Sequence, residues 1–183
     1  MDYEQKLKEI VMNDVRFISL LKAVEELHLP DSWICAGCLR NKIWDELDSI
    51  STPMNDIDVI YFDEANTSKA REKRLESQLQ VFIPSEPWSV KNQARMHEKN
   101  GSTPYQSSFD GVANFPETAT AVAIRITNNE LEVMAPYGLQ DLFSKSVRPT
   151  PHYDKTSDLH SVYLERVSQK KWDELWSHVF VER

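Results

Sequence analysis

Apolar residues recur near helical spacing through the first 28 positions, at Leu7, Ile10, Val11, Val15, Ile18, Leu21 and Val24. Asn13-Asp14 interrupts this run and is expected to cap a second helix inside it. Pro30-Asp31 ends the pattern, and Ser32 to Ala36 predicts a short buried strand. An amphipathic helix follows from Leu39 to Leu47, with Ile43, Trp44 and Leu47 on one side. Asp56 to Phe62 alternates polar and apolar and then turns apolar, as a strand near a sheet centre does. Residues 67 to 80 are charged and predict a solvated helix, and Trp88-Ser89-Val90 predicts a third strand. Thr118 to Thr127 and Leu131 to Ala135 flank Asn128-Asn129, a hairpin signal. A short helix near Leu139 to Phe143 and a C-terminal helix holding Trp172 and Trp176 complete the order.

The fold class expected from this order is α/β (α+β), a mixed sheet of about five strands flanked by helices. The chain of 183 residues suits a single domain over 1–183, with N-terminal helices (about 4–28) and a C-terminal helix packed on the core. No apolar run approaches the ~18 residues of a membrane span, and the charged start does not read as a signal peptide. The expected setting is cytoplasmic. A net charge of −8 disfavours extended nucleic-acid binding. A small anionic ligand stays compatible with it, because a metal ion or local basic patch offsets the overall field.

Cys35 and Cys38, the only cysteines, have the spacing of a redox dithiol. A working dithiol needs an exposed, low-pKa thiolate, and Cys35 falls within an apolar strand. A structural zinc site needs four ligands, and no second pair stands at the right spacing. Gly37 between them is more informative, lying where a strand passes into a helix. Glycine there permits close backbone approach, and the helix N-terminus directs N–H groups at an anion. Nineteen residues on, Asp56 and Asp58 alternate on a strand, so both carboxylates project to one side. Two adjacent carboxylates repel unless a divalent cation lies between them.

The turn Ala36-Gly37-Cys38 opening a helix, followed by Asp56-Ile57-Asp58-Val59 on the next strand, resembles the nucleotidyltransferase fold of DNA polymerase beta and the CCA-adding enzymes. The stretches Ala36 to Asp45, Trp88 to His97, Pro116 to Ala123 and Ala135 to Phe143 resemble small bacterial nucleotidyltransferase-like proteins of unassigned substrate. That resemblance implies Mg²⁺-dependent transfer of a nucleoside monophosphate from an NTP to a hydroxyl acceptor, over a two-metal site held by Asp56 and Asp58. It implies phosphate binding by Gly37, Cys38 and Arg40. Lys91 and Asn92, with Arg95 and His97, form a polar cluster on the third strand and its exit, suited to phosphate or acceptor. Two departures stand out: Cys38 replaces the superfamily's serine, and Ser89 stands where a third carboxylate is first sought. Glu132, in Leu131-Glu132-Val133, is the substitute candidate. These departures favour the rival reading, a non-catalytic nucleotide sensor or partner-binding descendant of the fold.

Overall fold

A computed structural model describes residues 2–183. Helix α1 (Tyr3–Met12) is capped by Asp2, whose Oδ1 accepts from the amides of Glu4 and Gln5 at 3.1 Å. Asp14 accepts from the Phe17 amide at 2.9 Å and starts α2 (Val15–Glu25), as the break at Asn13-Asp14 predicts. There follow β1 (Trp33–Cys35), α3 (Gly37–Asp48), β2 (Ile57–Tyr61), α4 (Lys69–Phe82) and β3 (Trp88–Asn92). After a 3-10 turn at Gln93–Arg95 come α5 (Met96–Asn100), α6 (Ser108–Ala113), β4 (Ala123–Thr127) and β5 (Glu130–Met134). The chain closes with α7 (Gln140–Phe143), β6 (Ser146–Val147), α8 (His160–Lys170), α9 (Trp172–Leu175) and β7 (Phe180–Val181).

The central sheet has the order β3-β2-β1-β4-β5. β2 and β3 run parallel, joined through α4, and the other neighbours are antiparallel. It is the mixed five-stranded sheet expected from the pattern. The alternation of side chains gives the sheet two unlike faces. Ile34, Val59, Val90 and Ile124 point to one of them and join the main core with Leu20, Leu39, Trp44 and Leu79 from α2, α3 and α4. On the opposite face Trp33, Cys35, Ile60, Ala123 and Met134 form a smaller cluster with Val112 and Ala121. Asp58, Ser89 and Lys91 share that second face through the registers Cys35↔Asp58, Asp58↔Ser89 and Ile60↔Lys91.

The hairpin at Asn128-Asn129 is tight, both residues having positive φ (54° and 65°) as a two-residue type I′ turn requires. Its first strand begins at Ala123, not Thr118. Residues 118–121 instead fold into a turn in which the amides of Thr120 and Ala121 donate to the Glu117 carbonyl. The C-terminal helix is split, because Lys171 takes a left-handed conformation (φ 47°) between α8 and α9. Helix α6 and the two-residue strands β6 and β7 are too short to show a period and went unmarked in the sequence.

Candidate functional site

The site grows from the turn between β1 and α3. Ala36 has φ 61° and ψ −131°, a conformation that belongs to glycine. The strained position is therefore Ala36, one residue before the glycine singled out in the sequence. That turn starts a 12-residue helix with no side-chain cap, leaving first-turn N–H groups for a ligand. Gly37 leaves the approach open: a Cβ there would lie 4.0 Å from both Arg40 Nη2 and Asp56 Oδ1. A carboxylate and a guanidinium thus converge on the start of one helix.

Asp56 is exposed just before β2, and Asp58 is half-buried within it. Burial, with Asp56 beside it, pushes the Asp58 carboxyl up to about 6. The neighbouring Ser89 and the charges of Lys91 and Arg166 pull the other way. Two hard oxygen donors, one on β2 and one just ahead of it, fit Mg²⁺ in ligand chemistry, and a divalent cation would relieve their repulsion. Among the described residues no group of three or more Asp, Glu, His or Cys could hold a metal, so the carboxylate set here is the pair.

Arg40 is 6% exposed and forms no ion pair among the described residues. Its guanidinium lies 5.1, 4.9 and 5.7 Å from the rings of Trp44, Trp172 and Trp176. It donates to Asn41 Oδ1 at 2.5 Å, and its Nε is buried without a partner. Burial lowers its pKa to about 10, which still leaves it charged at neutral pH. The three tryptophans read as core from their spacing; they are core, and they also box a cation.

Beside the pair, a cleft of 290 Å³ opens on the second face of the sheet. Asp58, Ser89 and Lys91 line its floor, and Gln93, Lys99, Asn114, Thr120, Tyr153 and Arg166 its walls. A shallower groove of 880 Å³ runs between α1, α2 and α3. Its Lys42 is already paired with Asp14 at 2.8 Å and Glu46 at 3.7 Å, and none of its polar atoms is left buried without a partner. The smaller cleft is the one that Asp58, Ser89 and Lys91 line.

The other sequence candidates are sorted by their contacts. Lys91 reaches the cleft, with Glu76 3.5 Å away. Asn92 does not: it is fully buried, its amide accepting from Asp63 N and Ala94 N and donating to the carbonyls of Asp63 and Asn66. It fastens a loop. Arg95 is held by Glu72 at 2.8 and 2.6 Å. Glu132 lies on edge strand β5, separated from β2 by β1 and β4, and is bound by Arg125 at 2.6 Å. That ion pair holds its carboxyl below the usual range, and the two intervening strands keep Glu132 from being a third carboxylate beside Asp58. Ser89 is the residue directly across from Asp58 on β3.

Both cysteines are buried and unbridged. Burial and the field of Asp58 raise both thiols, Cys38 to about 12, which opposes thiolate chemistry. The Cys38 thiol donates to the Cys35 carbonyl at 3.2 Å, so only its backbone amide is left to face a ligand. Arg166, Lys99, Gln93 and Thr120 were missed. Gln93 and Thr120 fall inside stretches that carry the family resemblance, but nothing in the local pattern of any of the four marks it as facing a cleft.

Comparison with known proteins agrees with this architecture. A family model described as nucleotidyltransferase matches residues 22–181. A protein whose NMR structure reveals a CCA-adding enzyme head domain is 36% identical, with TM-score 0.86 over 98% of this chain and 95% of its own. The Thermotoga maritima CCA-adding enzyme complexed with tRNA superposes with TM-score 0.58 at 14% identity, over 97% of this chain and 42% of that one. The Bacillus stearothermophilus CCA-adding enzyme in complex with CTP gives 0.52 at 13%, over 84% and 38%. The chain thus spans less than half of those two enzymes, and they share its fold. No curated protein matches the sequence. With the family model covering most of its length and a 36% identical relative covering nearly all of it, this chain belongs to the nucleotidyltransferase family.

Proposed function

We propose that the protein transfers a nucleoside monophosphate from an NTP to a hydroxyl on an acceptor yet to be identified, with Mg²⁺ as its metal. The observation that carries this reading is the convergence of Asp56 Oδ1 and Arg40 Nη2 on the uncapped start of α3, each 4.0 Å from the Cβ position that Gly37 leaves open. An anion seated there would meet helix N–H groups on one side and a buried cation on another. Asp56 and Asp58 would hold Mg²⁺, which when bound neutralises charge on the transferred phosphoryl group and the departing pyrophosphate. The chain's own groups position the reactants. The amides of Gly37 and Cys38 and the Arg40 guanidinium orient phosphates, and Lys91 supplies positive charge on the side of Ser89. The cleft wall at Tyr153 and Thr120 limits the solvent around them.

The tRNA of the Thermotoga complex is not carried over to this chain, which spans 42% of that enzyme and carries a net charge of −8. A small or protein acceptor suits an acidic surface better. The absence of a carboxylate beside Asp58 on β3 favours the second reading, a nucleotide sensor without turnover. One experiment separates them. The purified protein is incubated with Mg²⁺, each labelled NTP in turn and a cell extract, and pyrophosphate and labelled product are followed. Release of pyrophosphate with a labelled product supports transfer. A Mg²⁺-dependent ATP shift in the melting curve with no pyrophosphate under any condition supports the sensor and sinks the enzyme.

A further inference from the structure

Glu117 is fully buried (0% exposed), and each of its carboxylate oxygens is used. Oε2 accepts from Thr120 Oγ1 at 2.6 Å, and Oε1 accepts from Nε of Arg166, which arrives from α8. A guanidinium serving only as a counterion is best placed with its fork across both oxygens. Here Thr120 occupies the second oxygen. Arg166 is therefore held by its Nε alone, and its two terminal nitrogens make no hydrogen bond among the described residues. The same side chain lines the cleft with Asp58, Ser89 and Lys91, and it lies within electrostatic reach of both Asp58 and Arg40.

We propose that Arg166 is a phosphate-binding residue of this site, and that its ligand is the polyphosphate of a nucleoside di- or triphosphate. The Glu117–Thr120 turn acts as a fixed anchor for the near edge of the guanidinium. The far edge keeps its donors in a planar fork that matches two phosphate oxygens. The C-terminal segment thereby belongs to the site at two points: Arg166 enters the cleft, while Trp172 and Trp176 hold Arg40. This inference rests on the nucleotide reading above, and the test keeps the two apart.

The test uses the full chain and calorimetric binding of Mg·ATP, AMP and Mg·pyrophosphate, with a ligand-free melt for every variant. Arg166→Lys keeps a cation for Glu117 and removes the fork. The double variant Glu117→Gln with Arg166→Gln replaces the buried pair by two neutral amides. Both are expected to weaken Mg·ATP and Mg·pyrophosphate by about tenfold or more, and AMP by less than about threefold. Arg125→Gln, away from the cleft, is expected to bind like the parent. A parent that binds no Mg·ATP overturns the nucleotide reading and this inference together. A parent that binds, with either folded variant within twofold of it, overturns this inference alone. An equal loss for AMP and ATP also overturns it, because the contact would then not be with the outer phosphates. If neither variant folds, Arg166 is the structural counterion of Glu117 and the proposal falls.

Discussion

Asp58 on β2 and Ser89 on β3 are paired in parallel register on the same face of the sheet, and the serine beside it eases ionisation of the aspartate. The pairing places an alcohol where a further carboxylate would complete an acidic cluster. Its consequence is a site whose negative charge rests on Asp56 and Asp58, with Lys91 and Arg166 close by.

The raised Asp58 pKa implies a pH-dependent cost in the ligand-free protein. The group goes from an ordinary 3.8 in the unfolded chain to about 6 in the fold, so the native state binds more protons between those values. Stability is then undiminished below about pH 4 and falls as pH rises through 6. The full penalty is on the order of 2–3 kcal/mol. Asp58→Asn is expected to melt higher than the parent at pH 8, with the difference closing near pH 4. Melts across pH 4 to 8 without metal check this, and a constant difference across the range would contradict the assignment.

Replacing Ser89 by Asp should build the missing carboxylate. Three like charges in one face raise the cost of ionising each, so the ligand-free melting temperature is expected to drop by about 2–6 °C. Mg²⁺ should recover more stability in Ser89→Asp than in the parent, because it gains a ligand. An equal Mg²⁺ response in both proteins would mean that the cation does not bind at this pair.

The turn that opens α3 separates backbone strain from ligand access. Ala36 bears the strained backbone, so Ala36→Gly is expected to stabilise the protein by about 0.5–1.5 kcal/mol after the greater chain entropy of glycine is counted. Gly37 has no close neighbour, so Gly37→Val should fold, with a modest loss of helix propensity. Its branched side chain would fill the space between Arg40 and Asp56, and Mg·ATP binding should fall by more than tenfold. Denaturant melts and titration calorimetry measure the two effects, and a Gly37→Val protein that binds as the parent does would make the turn purely structural.

The helix and strand order was legible because apolar spacing records which face of each element is buried, and Asp14, the Asn-Asn turn and Pro30 mark where elements start and stop. Of the aspartate pair, Asp58 lies on β2 as the alternation predicts, while the strand starts at Ile57 and leaves Asp56 just ahead of it. Glu132 misled because a charged residue between two apolar ones satisfies the pattern of a functional strand on any strand of the sheet. Only the order β3-β2-β1-β4-β5 shows that β5 is at the wrong edge. Asn92 misled because a polar residue at a strand exit looks free until its four bonds are seen. The Glu117–Arg166 anchor was invisible, since its partners are 49 positions apart and each looks ordinary alone.

Arg40 offers the sharpest division between stability and function. A buried guanidinium with an orphaned Nε and no carboxylate partner loses more hydration than aromatic faces return. Replacing such a group by an apolar side chain of similar length is often neutral or stabilising. Arg40→Met, which keeps the contacts with Trp44, Trp172 and Trp176, is therefore expected to melt at or above the parent temperature without ligand. If the cation is there for phosphate, the same variant should lose most Mg·ATP-induced stabilisation, and Arg40→Lys should recover only part of it because a point charge replaces the planar fork. Paired melts with and without Mg·ATP give both readings on one sample. A Met variant that melts several degrees lower yet binds Mg·ATP normally would reverse the assignment, making Arg40 a packing residue of the tryptophan box.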